Sequence, residues 1–576
     1  MTDKISSFTD SLRNEIDKTT LVYSDWLEKN FKDPGNDRKA FSFDNHEFQI
    51  DIINEQAQDV VVKKCAQIGL TTLQIRYVLA FCAVNQYKKV AYILPTARFA
   101  SEVSATRVQP AIDSSSIIKQ MAKDSETDNV NTKQIGTNWL MLKGTSGTTA
   151  AISADLDAII TDELDFCNIE VVGSFSSRLQ HSDLKLTRKF STPTVSSYGI
   201  DKEFQDSSQA ERAVYHDACN TWQVLDFYRD IVIPGFHDPV KYFSKDHASI
   251  VLPVKQEELS RHPSKKLVHL SCPNCNKPVS QENLNDPSKR KWVHRFPDNP
   301  VRGYQCRFWD VPKYNHPHEV MASISSYTLH QDFINFRIGE TYEDKETGFT
   351  VEAIEAARKP TYIAEDISHL LSRNAYIGID LGKVSHIVIG VATPTGIQVV
   401  YYGTIDVKDL ADNKLSTALL RIIRQVRAVK VVCDAMPNHE TALQLVAEGQ
   451  PLQCWGAYYT NGTKTSLDIY NFKDNQGILN IARTPAFDQL ARAFNSGVIK
   501  LCRSSEAKID TDFNNHLLAM KKIREVNSKE FKWINTGADH YAHALGYMYA
   551  GYMSVEQRYI RQLTYVAPTP SKIALK

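Results

Sequence analysis

Residues 61–72, Val-Val-Lys-Lys-Cys-Ala-Gln-Ile-Gly-Leu-Thr-Thr, constrain this chain more than any other stretch. An apolar run ends in a glycine-containing turn and passes straight into a helix-forming segment. A strand, tight loop and helix in that order aim backbone N–H groups and the positive end of a helix at one point, which is how proteins cradle phosphate. Against the usual G-x-x-x-x-G-K-[ST] pattern, Gly69 and Thr71 fall on the second glycine and the hydroxyl. Leu70 stands where the lysine belongs, and Lys64 where the first glycine belongs. Alone, residues 61–72 fit a damaged phosphate loop and an ordinary strand–turn–helix equally well, so the segments around them decide.

Just upstream, Phe43-Asp-Asn-His-Glu-Phe-Gln49 offers aromatic rings to stack on an adenine and the Gln49 amide to read its edge. Downstream, a helix from Thr71 to about Asn85 leads to the strand Val90–Leu94, a β-α-β progression that predicts a parallel sheet. The strand Leu156-Asp-Ala-Ile-Ile-Thr-Asp162-Glu163 then ends in two carboxylates. A Mg-nucleotide hydrolase needs that pair: Asp162 joins Thr71 in holding Mg²⁺, and Glu163 polarises the attacking water. The γ-phosphate still requires a cation, and Lys64, at the front of the loop, reaches back to supply the charge Leu70 lacks. Gln67, Gly69 and Thr72 complete the loop's share of the nucleotide site. A further strand, Leu186–Phe190, ends at Ser191-Thr192-Pro193-Thr194, whose hydroxyls are placed to sense the γ-phosphate.

The chain has 576 residues, too many for one core, with 42% hydrophobic and 23% charged residues; two or more globular domains are expected. Net charge is formally zero, so nucleic-acid contact must come from local basic patches and not from global steering. No apolar run is long enough for a membrane span, and the N-terminus lacks the layout of a secretory leader. Ten cysteines without such a leader point to reduced thiols and a metal site. The candidate is His216-x-x-Cys219 with Cys272-x-x-Cys275, two knuckles that together supply a tetrahedral zinc set. The long interval between them requires an intervening hairpin, and Cys306, His294 and His316 compete for the fourth place.

After residue 374, Tyr376–Asp380, His386–Ala392 and Ile397–Tyr402 read as an antiparallel meander. Arg421, Arg424, Arg427 and Lys430 at i+3 spacing, on the helix leading into the strand Val429–Asp434, form a stripe able to grip phosphates but better read as a solvated face. Near the end, Asp539 opens a last helix, with His543 one turn on and facing the same way. Asp380, Asp434 and Asp539 would then converge at strand ends and a helix start, the arrangement by which RNase H-like nucleases hold two divalent ions for phosphodiester cleavage.

The order of these features resembles the large terminase subunit of tailed bacteriophages, over roughly residues 40–555, in the branch whose phosphate loop begins with lysine. The resemblance implies an α/β chain: an N-terminal P-loop NTPase of RecA/ASCE type with a zinc-ribbon-like insertion, and a C-terminal RNase H-like nuclease domain. The expected divisions are an N-terminal helical segment (1–40), the ATPase domain (41–360, insertion about 205–310), a linker (361–374), the nuclease domain (375–557) and a flexible tail (558–576). It implies ATP with Mg²⁺, Mg²⁺ or Mn²⁺ at the nuclease acids, and Zn²⁺ at the knuckles. Asp162 and Glu163 match the magnesium and water-activating pair, Ser191-Thr192-Pro193 the segment that couples hydrolysis to movement, and Asp380 and Asp434 the first two nuclease acids. Many members carry His-x-x-Asp at the last helix; here the frame is His540-Tyr-Ala-His543, so Asp539 takes over as the acid. Expected partners are double-stranded DNA, a portal protein, a small terminase subunit and further copies in a ring, in the host cytoplasm at the procapsid. Arg98, Arg107 and Arg178 are candidates for an arginine acting on a neighbouring copy's ATP. Two rivals remain from the residues: a helicase–nuclease of repair or restriction, and a DNA-binding scaffold with degenerate sites.

Overall fold

The computed structural model describes residues 22–33, 36–123, 128–146, 155–232, 268–327, 330–342, 348–358, 375–410, 414–426, 428–436, 438–449, 453–460, 469–524 and 531–564. These fall into two units that divide between Glu343 and Asp344. The expected linker (361–374) and most of the N-terminal segment lie outside the described residues. Of that segment, Tyr23–Asn30 is helical, and Lys32–Asp33 pairs antiparallel with Asn36–Ala40.

The first unit is built on seven parallel strands: β1 (Asp59–Lys64), β2 (Lys89–Leu94), β3 (Asn138–Gly144), β4 (Ala158–Asp162), β5 (Leu186–Ser191), β6 (Ala210–His216) and β7 (Val301–Cys306), ordered β6-β7-β1-β5-β4-β2-β3. β1, β2 and β4 carry apolar runs because both faces are covered, as parallel sheets require, whereas β5 between β1 and β4 is Leu-Thr-Arg-Lys-Phe-Ser. Val60, Val61 and Val62 of β1 and Tyr92, Ile93 and Leu94 of β2 are fully buried. The helix α1 (Leu70–Val84) follows the loop, packs on this sheet and buries eleven of its residues. One consequence of the order matters most: β5 lies between β1 and β4, so the loop, Glu163 and Thr192 emerge side by side at the carboxyl end of the sheet.

The segment expected as an insertion, 205–310, is not separate. Its ends, β6 and β7, are strands of the main sheet, and Thr221–Gln223 and Arg290–His294 add antiparallel to β6. Between them, among the described residues, Ile231–Val232 pairs antiparallel with His269–Leu270 outside that sheet.

The second unit carries β8 (Ala375–Asp380), β9 (Val384–Thr393), β10 (Gly396–Asp406), β11 (Ala428–Asp434) and β12 (Cys454–Thr460), ordered β10-β9-β8-β11-β12. The pairs β8/β9 and β9/β10 are antiparallel, the pairs β8/β11 and β11/β12 parallel. The helix α2 (His540–Thr564) crosses this sheet, its backbone running past residue 558, where the tail was expected to start. It passes so close that a Cβ on Gly378 would sit 1.9 Å from the Ala544 carbonyl. The boundary expected at residue 360 also moves. Helix Val351–Ala357 belongs to the second unit, because Phe349, Ile354 and Ala357 bury themselves in its core. The basic stripe does not continue onto β11: Lys430 is buried, its ammonium 4.4 Å from the Trp455 ring centre. No helix among the described residues is long and apolar enough to cross a membrane.

Candidate functional site

In the first unit the loop after β1 takes left-handed backbone at Gln67 (φ 62°) and Gly69 (φ 83°), which turns successive N–H groups to one side. Gly69 is required twice over: its φ disfavours a side chain, and a Cβ there would lie 2.9 Å from the Gln49 amide nitrogen. Gln49 is buried, and its Nε2 donates to the Ile68 carbonyl at 2.9 Å. It therefore fixes the loop's shape with one N–H, and its second N–H and its carbonyl oxygen are left for the adenine contact expected of it. A second brace comes from beyond the sheet, where the Ala66 N–H donates to the Phe336 carbonyl at 2.6 Å.

Lys64 does reach the carboxylates. Its Nζ lies 2.7 Å from Glu163 Oε1, with only 6% of the side chain exposed. Burial alone would discharge this ammonium, but Glu163 and then Asp162 outweigh it and hold the Lys64 pKa above its ordinary value. Burial pushes the Asp162 carboxyl up, partly opposed by Lys64. Asp162 accepts from the Tyr92 hydroxyl at 3.1 Å and from Thr71. Glu163 adopts φ 55°, an uncommon conformation for a side-chain-bearing residue that aims its carboxylate back over the loop. Thr192 approaches Glu163 Oε2 through its hydroxyl at 3.4 Å. Ser191 does not join them: its hydroxyl accepts from the Asp165 N–H and donates to the Thr192 carbonyl. Thr72, half-buried on the first turn of α1, has no side-chain contact to these groups. Among the three candidate arginines, Arg107 is the one whose charge is felt at Tyr92, so it lies beside the site of its own chain.

Sequence reasoning missed Asp165, which ties the strand ends together. Its carboxylate accepts from the Thr194 N–H and hydroxyl, both at 2.8 Å, and from the Ile200 N–H at 2.7 Å. Burial nonetheless pushes its pKa up to about 7. Also unforeseen is the buried charge group behind the loop, where Lys63 meets Asp201 at 2.7 Å and Glu340 at 3.5 Å, and Arg307 pairs with Glu340.

The four knuckle residues come together despite their separation in sequence. His216 Nδ1 is 3.4 Å from Cys219 Sγ and 3.4 Å from Cys275 Sγ, and Cys219 Sγ is 3.7 Å from Cys272 Sγ. Tetrahedral thiolates at zinc–sulfur distances of ~2.3 Å would be ~3.8 Å apart, so the donor set fits the ion. His216 Nε2 faces the Pro278 carbonyl at 3.2 Å, which leaves Nδ1 as the ligand atom. None of the three competitors joins this cluster, and His294 contacts Ser208 and Arg302 through its two nitrogens.

In the second unit, β8 and β11 are neighbours, and their last residues, Asp380 and Asp434, lie together. Burial, followed by the charge of Asp380, pushes Asp434 up to about 6; burial also raises Asp380, opposed by His543 and His540. Asp539 precedes α2 and holds His543 Nε2 at 3.0 Å, while His543 Nδ1 meets the Tyr459 hydroxyl at 2.8 Å. Burial would raise Asp539, but His543 outweighs it and the carboxyl ends below its usual range. With both ring nitrogens occupied, His543 orients Asp539 and is not free to bind a metal itself. Sequence reasoning missed His386 and His516, and named His540 only within the His-x-x-Asp frame; these rings gather near Asp380, with His540 Nδ1 2.9 Å from Asp380 Oδ2. The acids and the nearby imidazoles suit a divalent cation.

Residues 45–291 match the family described as phage terminase large subunit gpA, ATPase domain. In fold the chain is similar to the large terminase of bacteriophage HK97, with a TM-score of 0.50 at 11% identity over 92% of this chain and 98% of that one. The large terminase of a thermophilic bacteriophage scores 0.28 at 10% identity, covering 85% of this chain and 93% of its own. The human cytomegalovirus terminase nuclease domain scores 0.23 at 12% identity, covering 37% of this chain and 98% of its own. Likenesses that low carry no weight. No curated protein matches the chain.

Proposed function

We propose that this chain, a terminase large subunit by the family of its ATPase domain and by its fold, hydrolyses ATP to drive double-stranded DNA into a procapsid and cuts that DNA with a divalent-metal nuclease. The observation that carries the motor half is the convergence of Lys64, Asp162, Glu163 and Thr192 at the ends of β1, β4 and β5. The loop N–H groups and Lys64 hold the γ-phosphate; Asp162 and Thr71 would hold a magnesium ion, which would supply neutralisation of phosphate charge. Glu163 takes the proton from the attacking water, and Thr192 registers whether the phosphate is present. The γ-phosphate draws Lys64 away from Glu163, which frees the carboxylate to act as base only when nucleotide is bound. Asp165 then carries any movement of Thr192–Thr194 to the chain at Ile200.

Lys64→Ala is expected to lower kcat for ATP by about 10²–10³-fold, the cost of losing one preorganised charge at a transferring phosphoryl group. Hydrolysis at the wild-type rate would remove Lys64 from the site and the reading with it.

The cutting half rests on the order β10-β9-β8-β11-β12, which supports an RNase H-like domain, with Asp380, Asp434 and Asp539 as the metal-binding acids. Portal protein, small subunit and a ring of copies are the partners such a motor requires, and the host cytoplasm is where it would meet the procapsid. The cysteine cluster is a structural zinc-ribbon-like site that pins the loop beyond β6. Elemental analysis should find about one zinc per chain, and Cys272→Ser should remove most of it, because a closed tetrahedral site does not survive the loss of a thiolate. Zinc content unchanged by that substitution would contradict the assignment.

A further inference from the structure

Asp380 also faces a second set of donors, made of imidazoles. Asp380 and His386 are directly paired across the β8/β9 ladder, so their side chains leave the same face of the sheet. His540 opens α2 and brings Nδ1 to 2.9 Å from Asp380 Oδ2. One ligand atom from each of the three residues lies within 4.8 Å of the others. His386 is 8% exposed; its buried Nδ1 makes no hydrogen bond of good geometry among the described residues, and its ring has only a backbone interaction with Val384. An imidazole packed away from water with an unused nitrogen is costly unless something else binds it.

We propose that Asp380, His386 and His540 form a three-ligand site for a divalent first-row transition-metal ion such as Mn²⁺, Co²⁺ or Zn²⁺. Two ligand atoms at right angles, each ~2.1 Å from an ion, stand ~3.0 Å apart, close to the Asp380–His540 separation. The His386 and His540 rings stack with centres 4.8 Å apart and planes 16° apart, so the half-exposed His540 ring must turn for both imidazoles to point at one ion. Two imidazoles and one carboxylate favour such ions over Mg²⁺, which prefers oxygen donors. The other histidines nearby are excluded as ligands. His516 Nδ1 accepts the Tyr541 N–H at 3.2 Å, which puts its proton on Nε2 and leaves no free lone pair. It instead walls the site, its ring centre 5.4 Å from that of His386. His543 is held by Tyr459 and Asp539.

Because Asp380 belongs to both ligand sets, the site deepens the nuclease reading and rests on it for its role: the imidazoles would make cutting answer to which metal is present. Its existence is read without cutting. Pulsed electron paramagnetic resonance of the full chain with Mn²⁺ and no DNA should show modulation from directly bound imidazole nitrogen. His386→Asn and His540→Asn should each weaken that signal and lower Mn²⁺ affinity more than about 10-fold, beyond what loss of an outer partner costs; His543→Gln should keep the signal. His540 is half-exposed, so its substitution tests the site even where His386→Asn disturbs folding. A wild-type spectrum without nitrogen modulation, or one unchanged in both variants, overturns the proposal. A nitrogen signal that behaves as expected in a chain that cuts no DNA would leave the metal site standing and sink the nuclease reading. Metal-dependent cutting without that signal would do the opposite.

Discussion

Glu163→Gln should leave ATP bound and unhydrolysed, with kcat reduced by about 10²–10⁴-fold, the range for loss of a positioned general base. The carboxylate is held in place by three separate features: left-handed backbone at Glu163, the Lys64 ammonium 2.7 Å from Oε1, and the Thr192 hydroxyl 3.4 Å from Oε2. A glutamine keeps the shape and the contact to Thr192 but cannot accept the water's proton. It also removes the counter-charge beside a buried lysine, a loss that Asp162 partly offsets. The measurement is single-turnover hydrolysis alongside nucleotide affinity. A large drop in rate at near-constant affinity is expected, and a rate within a few-fold of wild type would take the base away from Glu163.

Asp380→Asn should cost the nuclease more than about 100-fold in metal-dependent cleavage, above the penalty for outer-shell partners, and should leave ATP turnover unchanged. Asp380 stands between the nuclease acids and the imidazoles: it meets His540 directly and acts electrostatically on Asp434. Removing its charge lowers the combined negative potential that attracts a divalent ion. It also lets Asp434, pushed up to about 6 chiefly by burial and then by Asp380, fall back toward the ordinary carboxylate range. Retained cleavage in this variant would place the cutting centre elsewhere.

What the sequence revealed and what it hid differ for physical reasons. Buried parallel strands announce themselves as Val/Ile runs, and the residues at their ends stand out against that background; this is why Lys64, Asp162, Glu163, Asp380 and Asp434 were legible. Cys219 and Cys272 were legible because knuckle spacing is set by the ion and not by the fold. The residues that escaped are those whose importance lies in tertiary placement. His386 is ordinary in sequence and becomes pointed only through the hairpin register that sets it opposite Asp380. That register could have been sought from the short turn at residues 381–383. Asp165, two places after Glu163, looks like one more acid until Thr194 and Ile200 are folded onto it. The boundary was misplaced because Lys359-Pro360 makes an emphatic helix stop, whereas Phe349 and Ile354 show their allegiance only in the core they enter. Gln49 was expected to read an adenine, and that it also braces the loop through one N–H to Ile68 shows only in the fold.

One assay separates a motor with an attached cutter from every rival: nuclease-protected DNA inside portal-bearing procapsids, starting from DNA that is already linear and cut. Wild type and Asp380→Asn should both fill procapsids in the presence of ATP, since no cut is needed to begin, and Glu163→Gln should fill none. Filling by Glu163→Gln, or failure of the wild-type chain to protect DNA while it still hydrolyses ATP, would contradict ATP-driven packaging by this chain.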